Sequence, residues 1–211
     1  MANTTYMKLE QLPYTIETQR LHLRSYDPRN DQHTVDLWNA IDGNRDHLMR
    51  FMTWAKNHTN IDITRAWIRE ARSKFEAMTD FSYGIWTKDD GRMVGGCGLH
   101  VRGEPMPNGL EIGYWLCERE QRKGFAREAT IFLTRVAFEI AKADRVVIRA
   151  DVDNRESRRV PEAIGFTFEG IARKSLRAGD IARDAAIYAM TSDDPSESLF
   201  ARAAKATKKP V

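Results

Sequence analysis

Glu111–Ala129 reads EIGYWLCEREQRKGFAREA, and the reading of this stretch decides the fold. Its first part, within Leu110–Leu116, is apolar and aromatic in the manner of a strand. After Gly124, residues Ala129, Phe132, Leu133, Val136, Ala137 and Ile140 recur along one helical stripe. Between the two lies a charged loop, Gln121-x-x-Gly124-x-Ala126, at the start of the helix. Backbone N–H groups at a helix start point outward and carry partial positive charge, so such a loop receives a pyrophosphate without any fixed side chain. Gly124 and Ala126 keep that approach open, while Arg122, Lys123 and Arg127 attract a ligand bearing several negative charges. A plain glycine turn among solvated basic residues leaves the same short pattern. The strand before it and the long amphipathic helix after it favour the anion site.

Outward from this unit the elements fall in a clear order. Upstream, Thr18–Tyr26 alternates Leu21 and Leu23 with polar residues, as a half-buried strand does, and Asp27-Pro28 ends it. A helix over His33–Ile41, an irregular stretch Asp46–Trp54 and a second helix opened by Asn60 or Asp62 follow. From Phe81 the period changes to two, so that Phe81–Thr87 and Met93–Val101 form a hairpin whose Asp-Gly turn supplies positive backbone angles. Glu104–Asn108, with its prolines, is a loop. Downstream come a buried strand Arg145–Ala150, a short helix Arg155–Ala163, and a hairpin of Phe166–Ser175 with Ile181–Met190. This order implies an α/β fold of the α+β kind, a central mixed sheet with helices on both faces. Leu110–Leu116 and Arg145–Ala150, joined by a helix, should run parallel, and ligands in such sheets favour the carboxyl ends of strands where neighbours diverge.

The bulk properties narrow the class. At 211 residues, 42% hydrophobic and 30% charged, the chain suits one globular domain over residues 1–192, with a basic, flexible tail over 193–211. No apolar run approaches the roughly 20 residues that cross a bilayer, and the start MANTTYMKLEQ has no apolar signal core, so a cytoplasmic protein without membrane contact is expected. The net charge of +3 does not point to direct nucleic-acid binding. Cys97 and Cys117 stand alone, with no metal-ligand spacing, so reduced structural thiols and no metal are expected.

EIGYWLCEREQRKGFAREA resembles the pyrophosphate motif of the GNAT acetyltransferase superfamily, Q/R-x-x-G-x-G/A. TQRLHLRSY (Thr18–Tyr26) resembles the first strand of its RimJ/RimL-type branch, the ribosomal-protein N-terminal acetyltransferases, and DVDNRESRRVPEAIGFTFEG (Asp151–Gly170) resembles that branch's later N-x-x-S motif. The resemblance implies the GNAT-like fold and an acetyl-CoA-dependent N-acetyltransferase acting on a primary amine in a ternary complex. The implied acceptor is a protein or peptide N-terminal α-amine, as on a ribosomal protein. A small amine (antibiotic, toxin or polyamine) is the alternative, and a non-catalytic acyl-CoA-binding module a third. A monomer or a homodimer is compatible with all three.

The same resemblance distributes roles. The main chain of Trp115 and Leu116 would bond the pantetheine arm, and Gln121, Arg122, Lys123, Gly124, Phe125 and Ala126 would hold the pyrophosphate. Asn154 would hold pantetheine, and the Ser157 hydroxyl would lie near the sulfur as a catalytic proton donor, although both residue types also cap helices. Glu111 is a candidate base acting through water, or one half of a cross-strand ion pair. His47, Phe51 and Trp54 resemble the branch's acceptor wall, at a spacing that also suits core packing. No strong base stands out. That suits an α-amine, about 9% neutral at pH 7, better than a lysine at about 0.04%.

Overall fold

The computed structural model describes residues 12–102 and 108–194. The loop expected at Glu104–Asn108 and the tail over 193–211 therefore lie almost wholly outside the described residues. Strands β1 (Thr15–Glu17), β2 (Leu21–Ser25), β3 (Asp80–Thr87), β4 (Met93–Val101), β5 (Gly109–Leu116), β6 (Arg145–Asp151), β7 (Thr167–Ala178) and β8 (Ile181–Thr191) form one sheet in the order β1-β2-β3-β4-β5-β6-β8-β7. Only β5 and β6 pair in parallel; every other neighbouring pair is antiparallel. The sheet is mixed, as the element order implies.

The strand expected over Thr18–Tyr26 is β2, shortened to Leu21–Ser25, and β1 at Thr15–Glu17 precedes it without having been signalled by the pattern. In the structure, Thr18 N–H donates to the Leu21 carbonyl and Leu21 N–H donates to the Thr18 hydroxyl, which turns the chain and lets β1 fold back antiparallel on β2. Helices α1 (Asp31–Asp42), α2 (Arg45–Met49) and α3 (Ile61–Glu76) follow β2, with a 3₁₀ turn at Thr53–Asn57 between the last two. Helix α4 (Phe125–Arg135) joins β5 to β6 and gives way to a π-helical turn at Val136–Ile140, and α5 (Arg155–Ile164) follows β6.

Two apolar clusters hold these layers. Leu21, Leu23, Leu99, Leu110, Ile112 and Leu116 pack with Ala129, Leu133 and Ala137 of the α4 stripe. Across the sheet, Leu37 and Ile41 of α1 and Ile68 of α3 pack with Tyr26 and Trp86. The helix starts differ in one respect. Asn30, Asn60 and Asn154 cap α1, α3 and α5 by accepting backbone N–H groups, whereas α4 has no side-chain cap and begins at Gly124 in the left-handed region, φ +83°. Its first N–H groups are left without a side-chain cap.

Candidate active site

The ladder between β5 and β6 is short. It pairs Gly109 with Arg145, Leu110 with Val146 and Glu111 with Val147, and stops there, although β5 runs on to Leu116 and β6 to Asp151. Beyond Glu111 the strands part, so that one edge of Ile112–Leu116 has no strand neighbour while β4 holds the other. Backbone groups left in this way require partners, and an extended ligand can supply them. A cleft of about 460 Å³ opens at the parting, lined by Tyr114, Trp115, Leu116, Gln121, Gly124 and Asn154, among others. Arg50, Arg122, Arg127 and Arg159 also line it, giving it the charge an anionic ligand needs.

The helix entrance is fastened by the turn between β1 and β2. Glu128, buried in the first turn of α4, accepts from the Thr18 hydroxyl at 2.6 Å, Arg20 N–H at 2.8 Å and Arg20 Nε at 2.7 Å. Arg20 Nη1 also donates to the Lys123 carbonyl at 3.0 Å, and its guanidinium lies 4.9 Å from the Phe125 ring centroid. Arg122 carries a positive φ of 60° beside Gly124, so two residues of the loop are left-handed. Lys123 Nζ is turned to Glu120, 2.9 Å away, which also takes Arg92. Arg122 rather than Lys123 is therefore the loop cation on the cleft.

On the helix α5 side, Asn154 Oδ1 accepts the Ser157 N–H at 3.1 Å, which is the capping arrangement. Ser157 Oγ donates to the Tyr114 hydroxyl at 3.3 Å, and that hydroxyl donates to the Ser157 carbonyl at 2.8 Å. The second bond has a cause in the sequence. Pro161 lies within α5 and has no N–H for the carbonyl four residues earlier, which is that of Ser157. Tyr114 fills the place. Burial pushes its phenol well above the ordinary value, so it remains protonated and a donor.

A second chamber of about 640 Å³ lies on the α1–α3 face, walled by Tyr26, Trp54, His58, Trp67 and Trp115. It exists because its floor lacks side chains: Gly84 pairs with Gly96, and Gly98 with Gly113, in register on one face of the sheet. Aromatic rings lie over these positions. A Cβ on Gly96 would stand 2.6 Å from Trp115 Nε1, and one on Gly113 would stand 3.0 Å from His100 Nε2. His100 Nδ1 bonds Asp80 Oδ2 at 2.7 Å, and Asp80 also accepts from Ser82 at 3.0 Å. Burial alone would raise the Asp80 carboxyl, but these hydrogen bonds outweigh it and hold the group below its usual range. Met52, Tyr114 and Trp115 line both chambers.

The expected site residues are brought together only in part. Trp115, Leu116, Gln121, Arg122, Gly124, Phe125, Ala126, Asn154 and Ser157 all line the cleft at the parted strands. His47, Phe51 and Trp54 do not form one wall. His47 Nε2 is 2.7 Å from Gln121 Nε2 and lies in the cleft with Phe51, whereas Trp54 lines the second chamber, edge-on to Trp115 at 5.9 Å. The spacing resembles one helical face, but the chain leaves α2 at Arg50 and re-enters a 3₁₀ turn at Thr53. Glu111 lines neither chamber: its carboxylate accepts from Arg102 at 3.0 Å and lies 3.8 Å from Arg149. The cysteines are buried, with the Cys117 thiol pushed up to about 11 by burial and that of Cys97 higher still. Tyr188, at 1% exposure, donates to Glu162 and accepts from Arg158. Arg20, Glu128, Tyr114 and the Asp80–His100 pair carry no local motif, and only tertiary pairing reveals them. Among the described residues, no group of three or more His, Cys, Asp or Glu is placed to hold a metal, and no helix is long and apolar enough to cross a membrane.

Comparison with known proteins agrees with this geometry. Residues 20–167 match the family model described as an acetyltransferase (GNAT) domain. The chain is 30% identical to YdaF of Bacillus subtilis (strain 168), over 82% of this chain and 91% of that protein. It is 26% identical to the ribosomal-protein-serine acetyltransferase of Escherichia coli (strain K12), over 77% of this chain and 89% of that protein. A solved structure of RimL, the ribosomal L7/L12 α-N-protein acetyltransferase in complex with coenzyme A, superposes with a TM-score of 0.74 at 25% identity, covering 88% of this chain and all of that one.

Proposed function

This chain belongs to the GNAT acetyltransferase family and is an N-acetyltransferase that uses acetyl-CoA, and we propose that it acetylates the N-terminal α-amine of a protein or peptide by direct attack in a ternary complex. One observation carries the mechanism: the arginine-lined cleft and the aromatic chamber share a wall of Met52, Tyr114 and Trp115. A donor in the first and an acceptor in the second meet at the parted strands. The uncapped start of α4 and Arg122 take the pyrophosphate, and the free edge of β5 at Trp115 and Leu116 bonds the pantetheine amides.

The neutral amine attacks the thioester carbon, the C–S bond breaks, and the departing thiolate is protonated. Ser157 and Tyr114, hydrogen-bonded to each other on the cleft, are the hydroxyls that would donate to that sulfur. An acyl-cysteine intermediate is disfavoured, because burial raises both thiols and leaves little thiolate. The ribosomal acceptors named for the Escherichia coli and RimL proteins support the α-amine reading. The chamber itself supports a second reading: about 640 Å³ walled by three tryptophans is enough to enclose a whole small amine.

The test is an acceptor panel with acetyl-CoA, counting thiol released and identifying products by mass spectrometry. It comprises short peptides with a free N-terminal serine, N-blocked peptides carrying lysine, and spermidine, each at pH 7 to 9. Free-amine peptides should be modified first at pH 7. If blocked lysine peptides prove better there, or spermidine reacts and no peptide does, the α-amine reading falls.

A further inference from the structure

His100 is the one imidazole of the second chamber whose position answers to chemistry rather than to packing. On β4 it stands directly across from Asp80 of β3 on one side and Glu111 of β5 on the other. Its Nδ1 is fixed by Asp80 at 2.7 Å, while Nε2 makes no hydrogen bond among the described residues and lies over Gly113, where a Cβ would approach to 3.0 Å. Gly113 adjoins Tyr114, which lies in the wall common to both chambers. The ring thus extends along the sheet floor toward the place where donor and acceptor meet. His58, by contrast, bonds Thr64 and packs edge-on between Trp54 and Trp67.

We propose that His100, oriented by Asp80, is the general base of the acetyl transfer, its Nε2 taking a proton from the acceptor nitrogen directly or through one water. The proposal rests on the acceptor occupying the aromatic chamber. As the neutral amine nitrogen bonds to the thioester carbon, one N–H proton passes to Nε2, the C–S electron pair stays on sulfur, and the imidazolium later yields its proton to solvent. Asp80 is a positioning residue: its carboxylate holds the Nδ1–H tautomer, which leaves the Nε2 lone pair toward the chamber, and it stabilises the imidazolium as it forms. Glu111 does not compete, because Arg102 and Arg149 engage it. The other charged or titratable groups about the ring are Arg102 just past the end of its own strand, Tyr83 on β3, and Glu70 and His58 across the chamber.

The experiment compares wild type, His100→Gln and Asp80→Asn with the best free-amine peptide of the panel. His100→Gln should lower kcat/KM about 100-fold or more, while acetyl-CoA affinity by calorimetry and the melting temperature change little, since His100 lies outside the cleft. The amine's own ionisation is common to all three proteins, so the wild-type to His100→Gln ratio isolates the imidazole. That ratio should be large at pH 8 and shrink in acid, where a protonated ring has no lone pair to take the proton. Asp80→Asn should also lower kcat/KM with acetyl-CoA affinity unchanged, because the ring loses the carboxylate that orients Nδ1–H and stabilises the imidazolium. A ratio that is independent of pH, or a loss below twofold, overturns the proposal. Nitrogen-15 NMR of the acetyl-CoA complex, without any acceptor, should find the proton of neutral His100 on Nδ1; a proton on Nε2 overturns it as well. Failure of every amine to react would count against the acceptor reading, whereas the tautomer bears on His100 alone.

Discussion

Pro161 and Tyr114 should be energetically coupled, although they lie in different elements. Pro161 removes the N–H that would bond the Ser157 carbonyl, and the Tyr114 hydroxyl donates to that carbonyl at 2.8 Å. Tyr114→Phe in the native background leaves a partly buried carbonyl without its donor and removes the acceptor of Ser157 Oγ. An unmade bond of this kind costs about 1–3 kcal/mol. In a Pro161→Ala background the new amide N–H can take the same carbonyl, so the hydroxyl becomes dispensable. The cost of Tyr114→Phe should then fall by about 1 kcal/mol, which is the coupling expected of groups sharing one partner.

Urea denaturation and thermal melting of the four proteins, followed by circular dichroism, measure this. At about 2–4 °C per kcal/mol for a domain of this size, Tyr114→Phe alone should lower Tm by roughly 3–6 °C, and by about half as much when combined with Pro161→Ala. Equal losses in the two backgrounds would refute the reasoning, because the hydroxyl would then act through packing or through Ser157 Oγ alone.

Three further outcomes follow from the site. Gly124→Ala places a side chain at φ +83° with its Cβ 3.3 Å from Arg20 Nη2, and a strain of about 1 kcal/mol at the helix entrance should weaken acetyl-CoA about fivefold by calorimetry; unchanged affinity would sink the loop assignment. Arg20→Ala leaves the buried Glu128 carboxylate without its cation, and should cost about 2–3 kcal/mol in urea denaturation, against less for the Arg20→Ala/Glu128→Gln double variant; a loss below about 0.5 kcal/mol would mean the pair is idle. His33 and His58 are held below their ordinary value by burial, so the unfolded chain binds their protons first. Stability should therefore be level above the ordinary histidine pKa of about 6.5 and fall as pH drops below it, by at most about 1.4 kcal/mol per pH unit for each; His58→Gln should flatten that slope between pH 7 and 5, and a slope unaltered in the variant would remove His58 from the account.

The fold was legible where local period and local chemistry suffice. Strand, loop and helix around Gly124 announce themselves by a change of period, and the parallel pairing of β5 with β6 follows from the helix between them. The Asp80–His100 pair was not legible, for a specific reason. Counting back from the Asp-Gly turn through the pairing of Trp86 with Met93 sets Asp80 opposite Leu99. A bulge between Ile85 and Trp86 shifts the register by one, pairs Phe81 with Leu99, and brings His100 opposite Asp80. A one-residue slip exchanges the faces of a strand, so the bulge decides whether an imidazole or a leucine meets the carboxylate. The bond from Arg20 to Glu128 spans 108 positions and has no local trace at all.

The imidazole on the chamber floor bears on the acceptor without reversing the expectation. In the sequence, the preference for α-amines follows from the want of a strong base, and His100 supplies a base. Yet the two amines differ before the enzyme acts. An ammonium must lose one proton to become a nucleophile, and that cost at a given pH is fixed by its own pKa, whatever group receives the proton. Between an α-amine near 8 and a lysine near 10.4 it amounts to about 3 kcal/mol at pH 7. The base acts on the second proton, the one that becomes acidic as nitrogen bonds to carbon, and it helps either amine to a similar degree. Discrimination by ionisation therefore survives, and it narrows only as rising pH neutralises the lysine. What His100 adds is speed at pH values where its ring is neutral. The chamber can thus combine an imidazole base with selection for the less basic of two amines.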